Sequence, residues 1–137
     1  MDQVTLNPYI FFKGNAKEAI EFYKGIFGGE LTIQNYGDLP GDMPGKKEHP
    51  NWIMHAMLEG DVKLMASDTE EASSKAAKIE LSLSGLDEEK LRKYFDGLAA
   101  GGKINMPLEK APWGDTFGML SDKYGVDWMV NITAKKD

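Results

Sequence analysis

The sequence has no cysteine among its 137 residues. Disulfides, thiolate nucleophiles and cysteine metal sites are therefore excluded. Histidine is nearly as scarce, with only His49 and His55 present. Basic charge is short too: 16 Lys and Arg face 22 Asp and Glu, for a net charge of −6. An acidic surface repels phosphate backbones, which argues against a nucleic-acid partner. No apolar run approaches the roughly 20 residues that span a bilayer, so no membrane partner is expected. The segment Met1 to Tyr9 lacks a basic stretch followed by an apolar one. No signal peptide is expected, and the cytoplasm is the expected location. Gly-x-Gly-x-x-Gly, P-loop, Gly-x-Ser-x-Gly and His-Glu-x-x-His motifs are all missing.

What is present suits one domain large enough to bury a core without staples. The eight methionines are many for this length. Methionine fills irregular core gaps and also adapts to ligands, and core filler is the stronger reading for any single one.

The chain reads as a strand, a helix and three strands, twice over. Val4 to Phe12 is strand-like, and Pro8 marks an edge or a start because it cannot donate to a ladder. Asn15 is placed as a helix N-cap, with Glu18 completing a capping box. Ala16, Ala19, Ile20, Tyr23, Ile26 and Phe27 recur at helical spacing, and Gly28-Gly29 ends the run. Leu31 to Tyr36 is a second strand. Gly37 to Asn51 is too rich in proline and glycine for a regular element, and a loop of this length is usually functional. Trp52 to Leu58 and Val62 to Ser67 flank a turn at Gly60-Asp61. A polar connection from Asp68 to Ala77 follows. Ile79 to Ser84 restarts the pattern. Asp87 caps a helix with Glu88 and Glu89 in its first turn, and Gly101-Gly102 ends it. Ile104 to Leu108, Thr116 to Ser121 and Val126 to Ile132 are the remaining strands. Anchors line up between the halves: Asn15 with Asp87, Met57 with Met119, and Met65 with Met129.

The pattern resembles the vicinal oxygen chelate superfamily of glyoxalases, bleomycin-resistance proteins and extradiol dioxygenases, above all its PhnB-like branch. The segments carrying the likeness include Asn7 to Phe12, Ala19 to Tyr23, Phe27 to Gly29, Met54 to Ala56 and Leu64 to Asp68. The most specific runs from Trp113 to Asp122 and continues from Tyr124 to Trp128. The resemblance implies an α+β fold: two β-α-β-β-β modules, over residues 4–68 and 78–132 of a single domain 1–137. They would form a curled mixed sheet with the helices outside. It also implies a homodimer and a cleft for a small-molecule ligand.

In metal-dependent members, each module gives the metal one ligand from its first strand and one from its last. Counting seven residues back from the two helix caps gives Pro8 and Glu80. The last-strand positions fall at Met65 and Met129. Proline offers no side-chain donor, and thioethers are poor partners for hard divalent ions. No metal is therefore expected in the usual place; a divalent metal elsewhere is disfavoured, and no other cofactor is expected. The methyltransferase label often given to this branch, for 3-demethylubiquinone, also lacks support. The glycine pairs follow helices, whereas an adenosylmethionine-type site needs a glycine-rich loop between a strand and a helix.

Among other candidates, His55 sits on an apolar strand, where histidine is more often structural than catalytic. If it faces a pocket it is the best general base, and strand register decides that. Glu80 alternates with Ile79 and Leu81, so it points away from the helix-covered face and is the tentative partner of His55. Trp52, Met65, Trp113, Phe117 and Met129 are the expected ligand-binding residues, with Trp113 the best aromatic. Trp128 is expected to pack on a helix. Two functions follow: a metal-free binding protein of the bleomycin-resistance kind, or a lyase- or isomerase-like enzyme using His55 and Glu80 or an atypical metal site.

Overall fold

A computed structural model describes residues 5–41, 45–70 and 79–135. The expected start of the first strand at Val4, residues 71–77 of the polar connection and the module boundary at Lys78 lie outside them. The chain divides into two compact units, residues 1–74 and 75–137. The α+β class and the repeated element order are as expected.

The first unit contains β1 (Tyr9–Phe12), α1 (Ala16–Phe27), β2 (Glu30–Asn35), β3 (Ile53–Glu59) and β4 (Lys63–Asp68). Its four strands form one mixed sheet in the order β1-β4-β3-β2. The β1–β4 pair is parallel, and the others are antiparallel. The second unit contains β5 (Leu81–Gly85), α2 (Glu88–Ala99), β6 (Lys103–Lys110), β7 (Thr116–Ser121) and β8 (Asp127–Ile132). Its sheet repeats the arrangement as β5-β8-β7-β6.

Each helix buries one stripe against one face of its own sheet, as the spacing of its apolar residues dictates. Ala16, Ala19, Ile20, Tyr23 and Phe27 of α1 meet Phe12, Ala56, Leu58, Leu64 and Ala66. Leu91, Tyr94, Phe95 and Leu98 of α2 meet Leu120, Trp128, Val130 and Ile132. Trp128 is thus on the helix side, as its alternation with Met129 requires. None of the described methionines belongs to these buried cores, so core filling is not what they do.

The cap of α1 differs from expectation. Asn15 makes no side-chain cap bond. The buried carboxylate of Asp68 replaces it from the end of β4. Asp68 Oδ1 accepts from the Gly14 and Ala16 N–H groups at 2.8 and 2.9 Å. Its Oδ2 accepts from the Ile53 N–H at 3.0 Å. One side chain therefore ties the start of α1 to two strands, and a local capping box becomes redundant. In α2 the expected cap forms, with Asp87 accepting from the Lys90 N–H at 3.1 Å.

The glycines after each helix serve close backbone approach. Gly29 has a positive φ of 97°, and a Cβ there would collide with the Glu59 carbonyl. A Cβ on Gly102 would collide with the Ser121 carbonyl in the same way. Each helix exit thus presses against the end of the third strand of its unit.

Candidate functional site

Strand alternation leaves each sheet a face turned away from its helix. In the first unit, one row across that face is Tyr9, Met65, Met57 and Thr32, in cross-strand register. Phe11 and Ser67 pair one step along, and His55 pairs with Gln34 on the same side. In the second unit the corresponding row is Ser82, Met129, Met119 and Met106. Ser84, Asn131 and Phe117 form the next row. Five of the eight methionines therefore stand on the two faces away from the helices.

The register corrects one count made from the helix caps. Met65 pairs with Tyr9, and Met129 pairs with Ser82. Because Met65 and Met129 correspond, Tyr9 corresponds to Ser82, Asn7 to Glu80, and Pro8 to Leu81. The cap ruler fails because the link from strand to helix is one residue shorter in the second unit, residues 86–87 against residues 13–15. The face-oriented first-strand positions are thus Asn7 or Tyr9 in one unit and Glu80 or Ser82 in the other. Among the described residues, no group of three or more His, Asp or Glu is placed to hold a metal ion. The thioethers of Met65 and Met129, one in each unit, are poor donors for a hard divalent ion.

His55 lies on the face away from α1 and is half-buried. Its Nδ1 is 3.0 Å from the Tyr9 hydroxyl. The Tyr9 ring stacks on Phe11, with centroids 4.9 Å apart and planes at 21°. Burial raises the Tyr9 phenol above its ordinary range; a Ser67 hydrogen bond opposes the rise and Tyr36 adds to it. Sequence reasoning did not single out Tyr9. Its signal was the alternation Tyr9-Ile10-Phe11-Phe12, which places both Tyr9 and Phe11 on the side away from the helix. Glu80 is half-buried in the second unit, just before β5.

Trp113 is 62% exposed and meets Phe117 edge-on at 5.7 Å. The turn that presents it is fastened by Asp115, whose carboxylate accepts from Asn131 Nδ2 at 3.0 Å and the Ala134 N–H at 2.9 Å. Asp122 anchors the next turn. It accepts from the Tyr124 and Val126 N–H groups and, at 2.9 Å, from the Trp128 indole. The segment from Trp113 to Trp128 is therefore held by two aspartate fasteners, and only its first turn presents an exposed aromatic ring.

Trp52 immediately precedes β3. It stacks on His49 at 3.5 Å with planes at 5°. Both line a cavity of about 240 Å³ with Tyr36, Glu48, Asp68 and Glu70. His49 Nε2 bonds Glu70 at 2.8 Å, and this bond holds the Glu70 carboxyl below its ordinary range.

Comparison with known proteins agrees with this architecture. Residues 5–130 match the family model of the Glyoxalase/Bleomycin resistance protein/Dioxygenase superfamily. Protein YjdN of Escherichia coli is 30% identical over 144 residues, covering 97% of this chain and 98% of its own. Protein PA1353 from Pseudomonas aeruginosa superposes with a TM-score of 0.81 at 35% identity, covering 97% of this chain and all of that one. A putative 3-demethylubiquinone-9 3-methyltransferase, PhnB protein, from Bacillus cereus gives 0.72 at 27% identity, over 95% and 100% of the two chains. With this match and the repeated β-α-β-β-β sheets, the chain belongs to the Glyoxalase/Bleomycin resistance protein/Dioxygenase superfamily, with PhnB-like relatives.

Proposed function

We propose that this protein binds a small, partly apolar molecule, as bleomycin-resistance proteins do, without the metal centre of its catalytic relatives. The observation that carries this reading is the pair of methionine rows on the faces away from the helices. Thioethers occupy the two last-strand positions where metal-dependent members would need hard donors. Methionine makes an apolar, pliable lining, and aromatic rings supply area at low entropic cost. In this reading the contact residues are Met65 and His55 in the first unit, where Trp52 lines the loop cavity, and Met129, Phe117 and Trp113 in the second. In this reading the protein is cytoplasmic and pairs as a homodimer.

The deciding experiment is metal analysis of the full chain purified without added metal. Well under one equivalent of any transition metal is expected. One tightly bound ion per chain would sink the metal-free reading.

A second reading, a lyase- or isomerase-like enzyme, draws on the half-buried positions of His55 and Glu80. It requires that His55→Ala and Glu80→Ala each abolish a turnover present in the parent protein. The methyltransferase name of the Bacillus cereus relative has no counterpart in these residues. The glycine pairs follow α1 and α2, where they serve backbone approach to Glu59 and Ser121.

A further inference from the structure

The hydrogen bond between Tyr9 and His55 has a consequence for the ligand. The two residues are 46 positions apart in the chain, yet Tyr9 Oη and His55 Nδ1 are 3.0 Å apart. A phenol donates more readily than it accepts, which favours the arrangement with its proton toward Nδ1. The neutral imidazole then carries its own hydrogen on Nε2. That nitrogen makes no hydrogen bond among the described residues. Beside it, Tyr9 and Phe11 are stacked at 4.9 Å, and Phe11 is 55% exposed. The His55 ring lies 5.6 Å from the Tyr9 ring, with Met65 paired to Tyr9. The result is a stacked aromatic pair, with Phe11 exposed, and beside Tyr9 a tilted imidazole that carries one N–H donor.

We propose that Tyr9 holds His55 as a neutral Nε2–H donor, and that these residues with Phe11 bind a planar aromatic molecule through an oxygen acceptor, a phenolate or a ring carbonyl. This rests on the binding reading above and supplies its ligand class. Stacking selects a flat π-system. The donor selects an oxygen acceptor, because an aromatic hydrocarbon would bury the Nε2–H without a partner. In this state His55 is no general base: Nε2 already bears a proton, and Nδ1 is occupied by the Tyr9 hydroxyl.

Two measurements on the full chain test this. The first is 15N-resolved NMR of the imidazole at neutral to mildly alkaline pH. His55 is expected as the Nε2-protonated tautomer, and Tyr9→Phe is expected to shift it toward a tautomer mixture. An Nδ1-protonated His55, or a tautomer indifferent to Tyr9→Phe, overturns the assignment. The second is calorimetric binding of 4-nitrophenolate and of nitrobenzene at mildly alkaline pH, where 4-nitrophenol is ionised and the Tyr9 phenol keeps its proton. His55→Ala is expected to weaken 4-nitrophenolate about ten-fold and to leave nitrobenzene within about two-fold. His55→Gln, which keeps a side-chain N–H, recovers part of the loss, and Phe11→Ala weakens both probes. Equal weakening of both probes by His55→Ala overturns the donor role while the binding reading stands. If neither probe binds and the Nε2 tautomer is intact, the aromatic ligand class is overturned; the metal content decides the binding reading separately.

Discussion

Asp68 binds three backbone N–H groups with one buried carboxylate, and so joins α1, β3 and β4. Hydrogen bonds to a charged acceptor are among the stronger ones, and orphaned buried donors are costly. Asp68→Ala is therefore expected to lower unfolding stability by about 3 kcal/mol, read from urea denaturation. Asn15→Ala should change it by less than about 0.5 kcal/mol, because Asn15 makes no cap bond. Asp87→Ala should cost about 1 kcal/mol, since that cap is made. A large loss at Asn15 and a small one at Asp68 would reverse the assignment of the cap. Tyr9 offers a pH test. Burial raises its phenol pKa, so the neutral form is favoured in the folded state. The associated stability is fully present below the unfolded phenol pKa and is lost as pH rises through the folded value. The difference in absorbance titration between the parent protein and Tyr9→Phe should show a phenol ionising later than an ordinary tyrosine. A midpoint at or below the ordinary value would contradict the shielding described.

At the scale of elements, each helix exit meets the end of the third strand of its unit through a glycine with no room for a methyl group. Gly29→Ala and Gly102→Ala should each cost about 2 kcal/mol or more, because the obstacle is a rigid carbonyl. Gly29→Ala adds the strain of its positive φ. Gly25→Ala is the control. It lies inside α1 with open space around it, so up to about 1 kcal/mol of stabilisation is expected from helix propensity. Thermal unfolding of the three variants checks the ranking; similar losses in all three would mean that helix exits are not the constraint. Both units use the same device, with Gly28-Gly29 after α1 and Gly101-Gly102 after α2.

At the scale of the whole molecule, the homodimer proposal is checked by sedimentation velocity. A dimer at tens of micromolar is expected, and a strictly monomeric chain there removes the proposal. Periodicity in the sequence was enough to determine two β-α-β-β-β modules, their helix stripes, the inward face of Trp128 and the cap at Asp87. Those features depend on local alternation, turn chemistry and amphipathic spacing. Tertiary structure alone decided the rest. Asp68 displaced Asn15 because capping an N-terminus needs only an acceptor in reach, whatever its distance along the chain. Pro8 lost its match to Glu80 because sheet register, and not distance from a cap, decides which residues share a face. Tyr9 entered the site for the same reason: a parallel pairing of β1 with β4 set it beside Met65 and within 3.0 Å of His55.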